Sequence, residues 1–329
     1  MPEIIRVESL VKKFGEFTAV AGIDFNIEAG EIFGFLGPNG AGKTTTIKIL
    51  ATLLKPTSGK ATLAGYDVLT HPNEVRQSIG MVFQDQSLDD RLTAEENLWF
   101  HAMLYDVPNS VFTERMEQVL KLVDLGDRRS SLVRTFSGGM KRRLEIARGL
   151  LHHPRVLFLD EPTLGLDPQT RNAIWHHVRR LRDEVGTTVF MTTHYMDEAE
   201  NCDHIAIIDH GKIQAVDTPA ALKRMIGGDK VIVGGVGSDA DLEKDLAAKY
   251  NVEVQKVDSE FHFQMQSGAE FVPRVVSDFS GRVRSIQIKQ PSLEDVFLRL
   301  TGHAIRQQEG SAIDAMRQGV QLWRSGGRR

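Results

Sequence analysis

The chain has 329 residues, 41% of them hydrophobic and 26% charged, which is an ordinary composition for a folded globular protein with one large domain and a smaller one. Its 40 basic and 44 acidic residues give a net charge of −4, which argues against nucleic acid as a partner. The single cysteine, Cys202, excludes a disulfide framework, and no apolar stretch approaches the roughly 20 residues of a membrane helix, so we expect a cytoplasmic protein.

The first element pattern is a group of strands followed by a glycine-rich loop. Alternating apolar residues predict strands at 4–10, 17–20 and 23–27 in a small antiparallel sheet. The apolar run 32–36 predicts a buried strand, and 46–54 reads as a helix. Between them lies a segment with P-loop spacing, formed by Gly37, Pro38, Asn39, Gly40, Ala41, Gly42, Lys43, Thr44 and Thr45.

This loop predicts a binding site for ATP and Mg²⁺. Its small residues allow backbone N–H groups to turn inward on phosphates, and the following helix adds the positive end of its dipole. Lys43 is expected to bridge the terminal phosphates, and the Thr44 hydroxyl to ligate Mg²⁺.

The middle of the chain predicts an α/β core with an inserted helical lobe. Short strands at 60–63 and 79–83 precede a mostly helical region, about 89–151, in which Thr93 and Glu96 form a capping box. Buried parallel strands then return at 156–159 and 187–191, with a helix near 169–185 between them. We assign residues 1–225 to this first domain.

A second glycine-rich turn lies within the helical lobe. Ser137, Gly138 and Gly139 run into a helix whose start carries Lys141, Arg142 and Arg143. Three cations oppose the dipole at a helix N-terminus, so an anion docked there would remove the conflict. A solvated basic face behind an ordinary glycine cap is the alternative.

Two adjacent carboxylates follow the strand at 156–159. Asp160 and Glu161 lie at its C-terminal end, where ligands bind in open α/β sheets. Asp160 is expected to hold Mg²⁺ and Glu161 to polarise an attacking water. By themselves the pair could also be two solvated acids; the P-loop favours the catalytic interpretation.

The composition changes at 225–229, where a second domain begins. The pattern predicts strand 230–236, helix 239–250, strands 252–257 and 260–266, helix 269–279, strand 283–289 and helix 293–300. This βαββαβ order is the ferredoxin-like arrangement, and we assign it to residues 229–302. A basic tail, 303–329, is expected to be partly disordered, with a short helix around Ile313 to Trp323.

Together these motifs resemble the ATP-binding subunit of ABC transporters. The resemblance implies a dimer, of two copies or of this chain and a paralogous ATPase, in which Ser137, Gly138 and Gly139 of one protomer close over ATP on the P-loop of the other. Four more residues take roles from it alone. These are Gln84 on the metal and water, facing the membrane partner; Asp167 contacting the opposing protomer; His194 on the γ-phosphate; and Phe14 stacking on adenine. Phe136 and Met140 depart from the leucine and glutamine common in the signature, although the serine and glycines are retained.

The segment 291–302 narrows the resemblance to daunorubicin-resistance-type exporter ATPases. This implies an ATP-hydrolysing subunit that powers efflux of a hydrophobic drug, antibiotic or lipid-like substrate through a separately encoded permease. The subunit would be peripheral on the inner face of the cell membrane. Export of glycans or lipids, and a non-transport ABC ATPase acting on ribosomes or DNA, remain as alternatives. Only 94 positions separate Lys43 from Ser137 (137 − 43 = 94), which leaves no room for a DNA-repair-type coiled-coil insertion.

Overall fold

The computed structural model describes residues 2–236, 240–257, 260–265 and 268–303, which form two compact units. The first unit runs through Thr218 and the second begins at Pro219. The assignment of residues 1–225 and 229–302 to two domains stays a prediction, and the predictions for the tail beyond residue 303 lie outside the described residues.

The first unit contains ten strands and seven α-helices among its described residues. In chain order its elements are β1 (Glu3–Phe14), β2 (Phe17–Glu28), β3 (Ile32–Leu36), α1 (Lys43–Leu50), β4 (Ser58–Leu63), β5 (Tyr66–Asp67), α2 (Pro72–Ser78), β6 (Ile79–Val82), α3 (Ala94–Leu104), α4 (Asn109–Leu122), α5 (Gly138–Leu150), β7 (Val156–Asp160), α6 (Pro168–Arg180), β8 (Thr188–Thr193), α7 (Met196–Ala199), β9 (His204–Asp209) and β10 (Lys212–Asp217).

Two sheets organise these elements. A six-stranded sheet has the order β10-β9-β3-β8-β7-β6, with parallel pairing except at β10. Strands β3 and β7 are buried at every position, as expected for parallel strands covered on both faces. The predicted small antiparallel sheet is present with the order β2-β1-β4-β5. The helical lobe is formed by α3, α4 and α5, and Thr93 and Glu96 make the predicted capping box.

The second unit has the predicted βαββαβ core. Its elements are α8 (Pro219–Met225), β11 (Asp229–Gly235), α9 (Ala240–Tyr250), β12 (Gln255–Val257), β13 (Glu260–Met265), α10 (Gly268–Asp278), β14 (Val283–Lys289) and α11 (Leu293–Thr301). The sheet is antiparallel with the order β12-β13-β11-β14. Its core includes Phe261, Phe263 and Phe271. These observations confirm the predicted fold class.

Some elements differ from the sequence prediction. Strand β12 has three residues rather than the six of 252–257, because the Val252 N–H donates to the Ala247 carbonyl and prolongs the turn after α9. The helix predicted to reach residue 185 ends at Arg180, and a π-helical turn, Leu181–Val185, completes it. Strands β9 and β10 were not predicted. Among the described residues, no helix is both long and apolar enough to cross a membrane.

Candidate active site

The glycine-rich loop joins β3 to the N-terminus of α1, as predicted. Helix α1 begins at Lys43 with Gly42 as its N-cap, and Gly42 offers no side chain to cap the first turn. That turn also contains no acidic residue. The amides at this end are therefore available to an anion, which the helix dipole favours at the same place.

Close contacts with two strands fix the shape of this loop. A Cβ atom on Gly37 would lie 2.3 Å from the Ile208 carbonyl oxygen, and one on Gly42 would lie 2.5 Å from the Ala19 carbonyl oxygen. Gly42 also has a φ of +108°, which side chains rarely adopt. Glycine is required at both positions because the backbones of β9 and β2 pack too closely against the loop to leave room for a side chain.

Lys43 lies under the loop and meets the second carboxylate of the predicted acid pair. Its side chain is 4% exposed, and Nζ donates to the carbonyls of Gly37 at 2.8 Å and Pro38 at 3.1 Å. The same Nζ is 3.2 Å from Oε1 of Glu161. The sheet thus brings together two residues that are 118 positions apart (161 − 43 = 118).

Glu161 is held at the end of β7 by contacts on both its backbone and its side chain. Its N–H donates to Thr192 Oγ1 at 3.0 Å, and its Oε1 is 3.5 Å from His194 Nδ1. Burial raises the pKa of this carboxyl, but the hydrogen bond from His194 and the charge of Lys43 outweigh that effect and leave the pKa below its usual value. Glu161 is therefore ionised at neutral pH, as an acceptor for a water proton must be.

Asp160 and Thr44 form an oxygen cluster beside this carboxylate. Asp160 Oδ1 accepts hydrogen bonds from Thr44 Oγ1 at 3.2 Å and from Thr192 Oγ1 at 2.6 Å. A carboxylate and a hydroxyl at the P-loop are the kind of oxygen ligands that Mg²⁺ takes in nucleotide sites. The residues present thus fit the predicted metal.

A cavity of about 230 Å³ lies in front of the loop. Its lining is Phe14, Phe17, Ala19, Asn39, Gly40, Gly42, Lys43, Thr44, Thr45, Gln84 and Glu161. The structure therefore brings Phe14 and Gln84, both predicted by resemblance alone, to the P-loop. Phe14 is 50% exposed, and Lys12 Nζ lies 5.0 Å from its ring centroid.

Phe17 is a cavity residue that the sequence analysis missed. It pairs with Phe14 across the turn between β1 and β2 and is 63% exposed. The hairpin places two exposed aromatic rings, rather than one, beside the P-loop. A two-residue turn flanked by phenylalanines was a signal in the sequence that could have identified it.

The Ser-Gly-Gly turn is not part of this cavity's lining. Ser137 Oγ accepts from the Met140 N–H at 3.3 Å and caps α5. A Cβ on Gly139 would lie 2.4 Å from Thr170 Cγ2, and Asp167 caps α6 by accepting from the Thr170 N–H at 3.0 Å. The structure thus brings the turn and the Asp167 loop together, and neither lines the cavity in front of the P-loop.

The cations that follow this turn all have partners within the protein. Lys141 Nζ lies 2.8 Å from Asp90 Oδ1, and Arg143 donates to the Val123 carbonyl at 2.8 Å. The sequence-based suggestion that an anion docks at this helix start stays a prediction.

Arg142, predicted only as one of three cations at this helix start, makes buried contacts that the sequence did not indicate. It is 6% exposed, and Nε donates to the Pro162 carbonyl at 2.7 Å. Its Nη atoms donate to the carbonyls of Phe83, Asp160 and Glu161, and to Glu145 Oε2 at 2.9 Å. One guanidinium thus connects the backbone just before Gln84 to the backbone of Asp160 and Glu161.

The segment after Gln84 is attached to the same helix. Glu145 Oε1 accepts from the Ser87 N–H at 2.8 Å, and Arg148 Nη1 donates to the Ser87 carbonyl at 2.7 Å. Residues 83–87, which we call the glutamine loop after Gln84, are therefore held at both ends by α5, whose N-terminus is Ser137-Gly138-Gly139.

Comparison with known families gives two matches along the chain. A family described as "ABC transporter" matches residues 20–164, and one described as "ATP-binding protein DrrA1-3-like, C-terminal domain" matches residues 218–301. The first contains the P-loop, the Ser-Gly-Gly turn and the acid pair, and the second covers the second unit almost to its last described residue.

Similar proteins extend over nearly the whole chain. The daunorubicin resistance ATP-binding protein DrrA2 of Streptomyces coeruleorubidus is 40% identical over 93% of this chain and 97% of its own length. The linearmycin resistance ATP-binding protein LnrL of Bacillus subtilis is 38% identical over 92% of this chain and 100% of its own. Among solved structures, a dimeric post-hydrolysis state of the ATP-binding cassette MJ0796 bound to ADP and Pi has 28% identity and a TM-score of 0.58, covering 65% of this chain and 98% of that one.

Proposed function

This chain belongs to the daunorubicin-resistance-type ATP-binding proteins of ABC transporters, which are ATPases, and we propose that it powers export through a separately encoded permease. The cargo that we propose is a hydrophobic drug or antibiotic, or a lipid-like molecule. This is supported by two relatives named for resistance to daunorubicin and to linearmycin. The chain would be held at the inner face of the cell membrane by its permease.

The observation that carries the proposed chemistry is the meeting of Lys43, Glu161 and His194 below the P-loop. Glu161 Oε1 lies 3.2 Å from Lys43 Nζ and 3.5 Å from His194 Nδ1. In this role Lys43 binds the terminal phosphates of ATP, while Glu161 accepts a proton from the attacking water. His194 orients that water and the γ-phosphate, and a phosphate bound by Lys43 would compete with Glu161 for the ammonium group.

Mg²⁺ would be held by Thr44 and Asp160, with Gln84 on the same side of the cavity. When bound, the ion neutralises charge on the β- and γ-phosphates. Thr192 holds Asp160 Oδ1 at 2.6 Å and so fixes the carboxylate in place. Phe14, and Phe17 beside it, offer aromatic faces for adenine.

The complete site requires two protomers in this proposal. Ser137, Gly138 and Gly139 pack against the Asp167 loop and are absent from the lining of the P-loop cavity. A head-to-tail pair places this group of one copy over the P-loop of its partner. A dimeric ABC cassette with the same fold supports such an arrangement.

The permease would contact the first unit at a groove next to the glutamine loop. This groove has a volume of about 530 Å³ and is lined by Phe83, Ser87, Phe100 and Leu104, among others. Phe100 and Leu104 are 57% and 65% exposed, which is unusual for large apolar side chains. Because α5 also holds Phe83 and Ser87, movement of this groove can be coupled to the acid pair.

Mixing two inactive variants tests the shared site. Ser137→Arg blocks the turn and Lys43→Ala disables the P-loop, so a mixed dimer retains one intact site at most. We expect mixing to restore part of the ATP hydrolysis that each variant lacks alone. Full recovery, or none in demonstrably mixed dimers, contradicts the shared geometry.

Co-purification from membranes with a polytopic membrane protein tests the proposed permease. Absence of such a protein would count against transport.

A further inference from the structure

The second unit contains a cavity of about 260 Å³ that is lined by cationic and amide side chains. It lies between the sheet and α11. The polar side chains that line it are Lys230, Gln264, Lys289, Gln290, Asp295 and Arg299. None of these residues belongs to the ATP site or to the groove proposed for the permease.

The strand register sets the two lysines side by side. Lys230 on β11 is paired directly with Lys289 on β14, and on its other side with Gln264 on β13. Residues opposite each other in an antiparallel sheet have neighbouring side chains, and like charges in such a pair destabilise it. The register therefore places two exposed cationic side chains at neighbouring positions of the sheet.

The described residues compensate these charges only in part, through Asp295. Burial raises the pKa of this carboxyl, but hydrogen bonds from Ser292 and the charges of Lys289 and Lys230 leave it below its usual value. The side chains of Lys230, Lys289, Gln264 and Gln290 make no hydrogen bond or ion pair with any residue that the structure describes. Arg299 donates to the Ile226 carbonyl at 2.9 Å through Nη1, which leaves further N–H groups of its guanidinium for another acceptor.

The single carboxylate in the lining is already engaged. Asp295 Oδ2 accepts from the Ser292 N–H at 2.9 Å and from Ser292 Oγ at 2.7 Å as part of a capping box. The lining contains three cations, Lys230, Lys289 and Arg299, and the carboxylate of Asp295, which together give it a net charge of +2. The cavity thus presents hydrogen-bond donors from several directions and a net positive charge.

We propose that this cavity binds a phosphate monoester group. A phosphate monoester carries about −1.5 to −2 charges at neutral pH and three strong acceptor oxygens, which match the charge and the donors of the lining. Lysine and arginine are the residues that bind phosphate in proteins. The group could be carried by a soluble metabolite or by a lipid headgroup, and the cavity has space for part of the carrier.

Calorimetric titration of the full-length chain with inorganic phosphate provides the first test. All variants in this test carry Lys43→Ala, which removes the P-loop lysine as a second binding site for phosphate. ATP binding is measured in a separate experiment, so a failure of the proposed ATP site can be distinguished from a failure of this cavity. Adding Lys230→Gln and Lys289→Gln should weaken phosphate binding by about tenfold or more, equivalent to about 1.4 kcal/mol. Lys230→Arg with Lys289→Arg should retain it.

The matched control is Lys244→Gln with Lys256→Gln, which removes the same charge from the same unit outside the cavity. An equal loss in this control, or unchanged affinity in the cavity variant with its fold intact by circular dichroism, overturns the proposal. Vesicles of phosphatidylcholine with or without phosphatidic acid then distinguish the sources. Cavity-dependent binding to phosphatidic acid that phosphate displaces identifies a lipid headgroup, whereas binding of soluble phosphate alone identifies a metabolite. If neither binds, the proposal fails.

Discussion

The two units differ in where they put their charged residues. Among the described residues, the buried charged side chains all lie in the first unit and include Lys43, Arg142, Asp160 and Glu161. In the second unit the buried side chains are apolar, and its core is built from aliphatic and aromatic groups. Burying a charged side chain is costly unless it is paired. The concentration of buried charged side chains in the first unit therefore indicates that the chemistry takes place there.

The two units also differ in how exactly their buried side chains must be positioned. The buried charges of the first unit hold specific backbone carbonyls and carboxylates within hydrogen-bond distance of one another. The core of the second unit needs only volume and apolar character, which tolerate substitution better. Mutations in the two units should therefore fail in different ways, and the following predictions test this difference from the largest effect to the smallest.

Replacing Glu161 should have the largest effect. Glu161→Gln keeps the shape of the side chain but removes the acceptor for the water proton, so we expect ATP turnover to fall by about 100-fold or more. Nucleotide binding should persist, and the ATP-bound dimer should accumulate on size-exclusion chromatography. Glu114→Gln, at an exposed position of α4, is the control. Undiminished turnover in Glu161→Gln would rule out Glu161 as the base.

Truncating a core ring of the second unit should reduce stability without affecting the nucleotide site. Phe271 is buried and its ring lies 4.3 Å from Tyr250 and 5.4 Å from Phe263, centroid to centroid. Phe271→Ala should cost about 3–5 kcal/mol of unfolding free energy. Hydrogen exchange should locate the loss in the second unit, and ATP affinity should not change. Leu298→Ala, at a half-exposed position, is the control; weakened ATP binding in Phe271→Ala would break the contrast between the units.

Arg142→Lys keeps the charge but loses the planar fork that contacts four carbonyls. Because these contacts position Glu161 and the glutamine loop, we expect kcat to fall about 10- to 100-fold. The KM for ATP should stay within about twofold, since the P-loop is not touched. Arg143→Lys, the adjacent residue, should leave both constants unchanged. If instead the KM for ATP rises by the same factor by which kcat falls, Arg142 maintains the structure of the site in general and does not specifically position Glu161.

Acid should destabilise the first unit through His101. Burial lowers the pKa of His101 to about 3, and the charges of Arg148 and His152 act in the same direction. Between about pH 6.5 and 3 the unfolded chain binds the extra proton, so His101 lowers the unfolding free energy by about 1.4 kcal/mol for each pH unit below 6.5.

His101→Phe removes that titration and keeps an aromatic ring beside Tyr105, 4.6 Å away between centroids. Urea unfolding at several pH values should show the wild type losing stability faster than the variant as pH falls. His176→Phe, at an exposed position, is the control. Parallel curves for wild type and His101→Phe would show that this histidine is not a source of acid sensitivity.

The fold was largely predictable because its signals are local. The P-loop needs a strand, glycines and a helix start in immediate succession, and each is visible in the residues from Ile32 to Leu54. The alternation of strands and helices after residue 229 likewise predicted the ferredoxin-like core. Strand β9 was not predicted because residues 205–208 are a short apolar run that fits a strand or a buried helix equally well.

Candidate site residues could be predicted only where they belong to a recognisable sequence motif. Lys43 and the acid pair stand in recognisable patterns, and Phe14 and Gln84 came from resemblance. Arg142 was predicted only as part of a run of three cations, for which the sequence indicated a docked anion or a solvated basic face, and not as a buried residue. Its role depends on carbonyls of Phe83 and Pro162, 59 and 20 positions away, which only the folded chain brings to it.

The backbone of Glu161 has a left-handed conformation, with a φ of 45°. A side chain with a Cβ adopts this region at a cost of roughly 1–2 kcal/mol, and glycine would occupy it with little strain. Glycine would relieve that strain but would remove the carboxylate that lies 3.2 Å from the buried Lys43 ammonium, and breaking a buried ion pair costs roughly 3–5 kcal/mol. Laboratory evolution of hardier variants should therefore retain Glu161 even without a selection for activity.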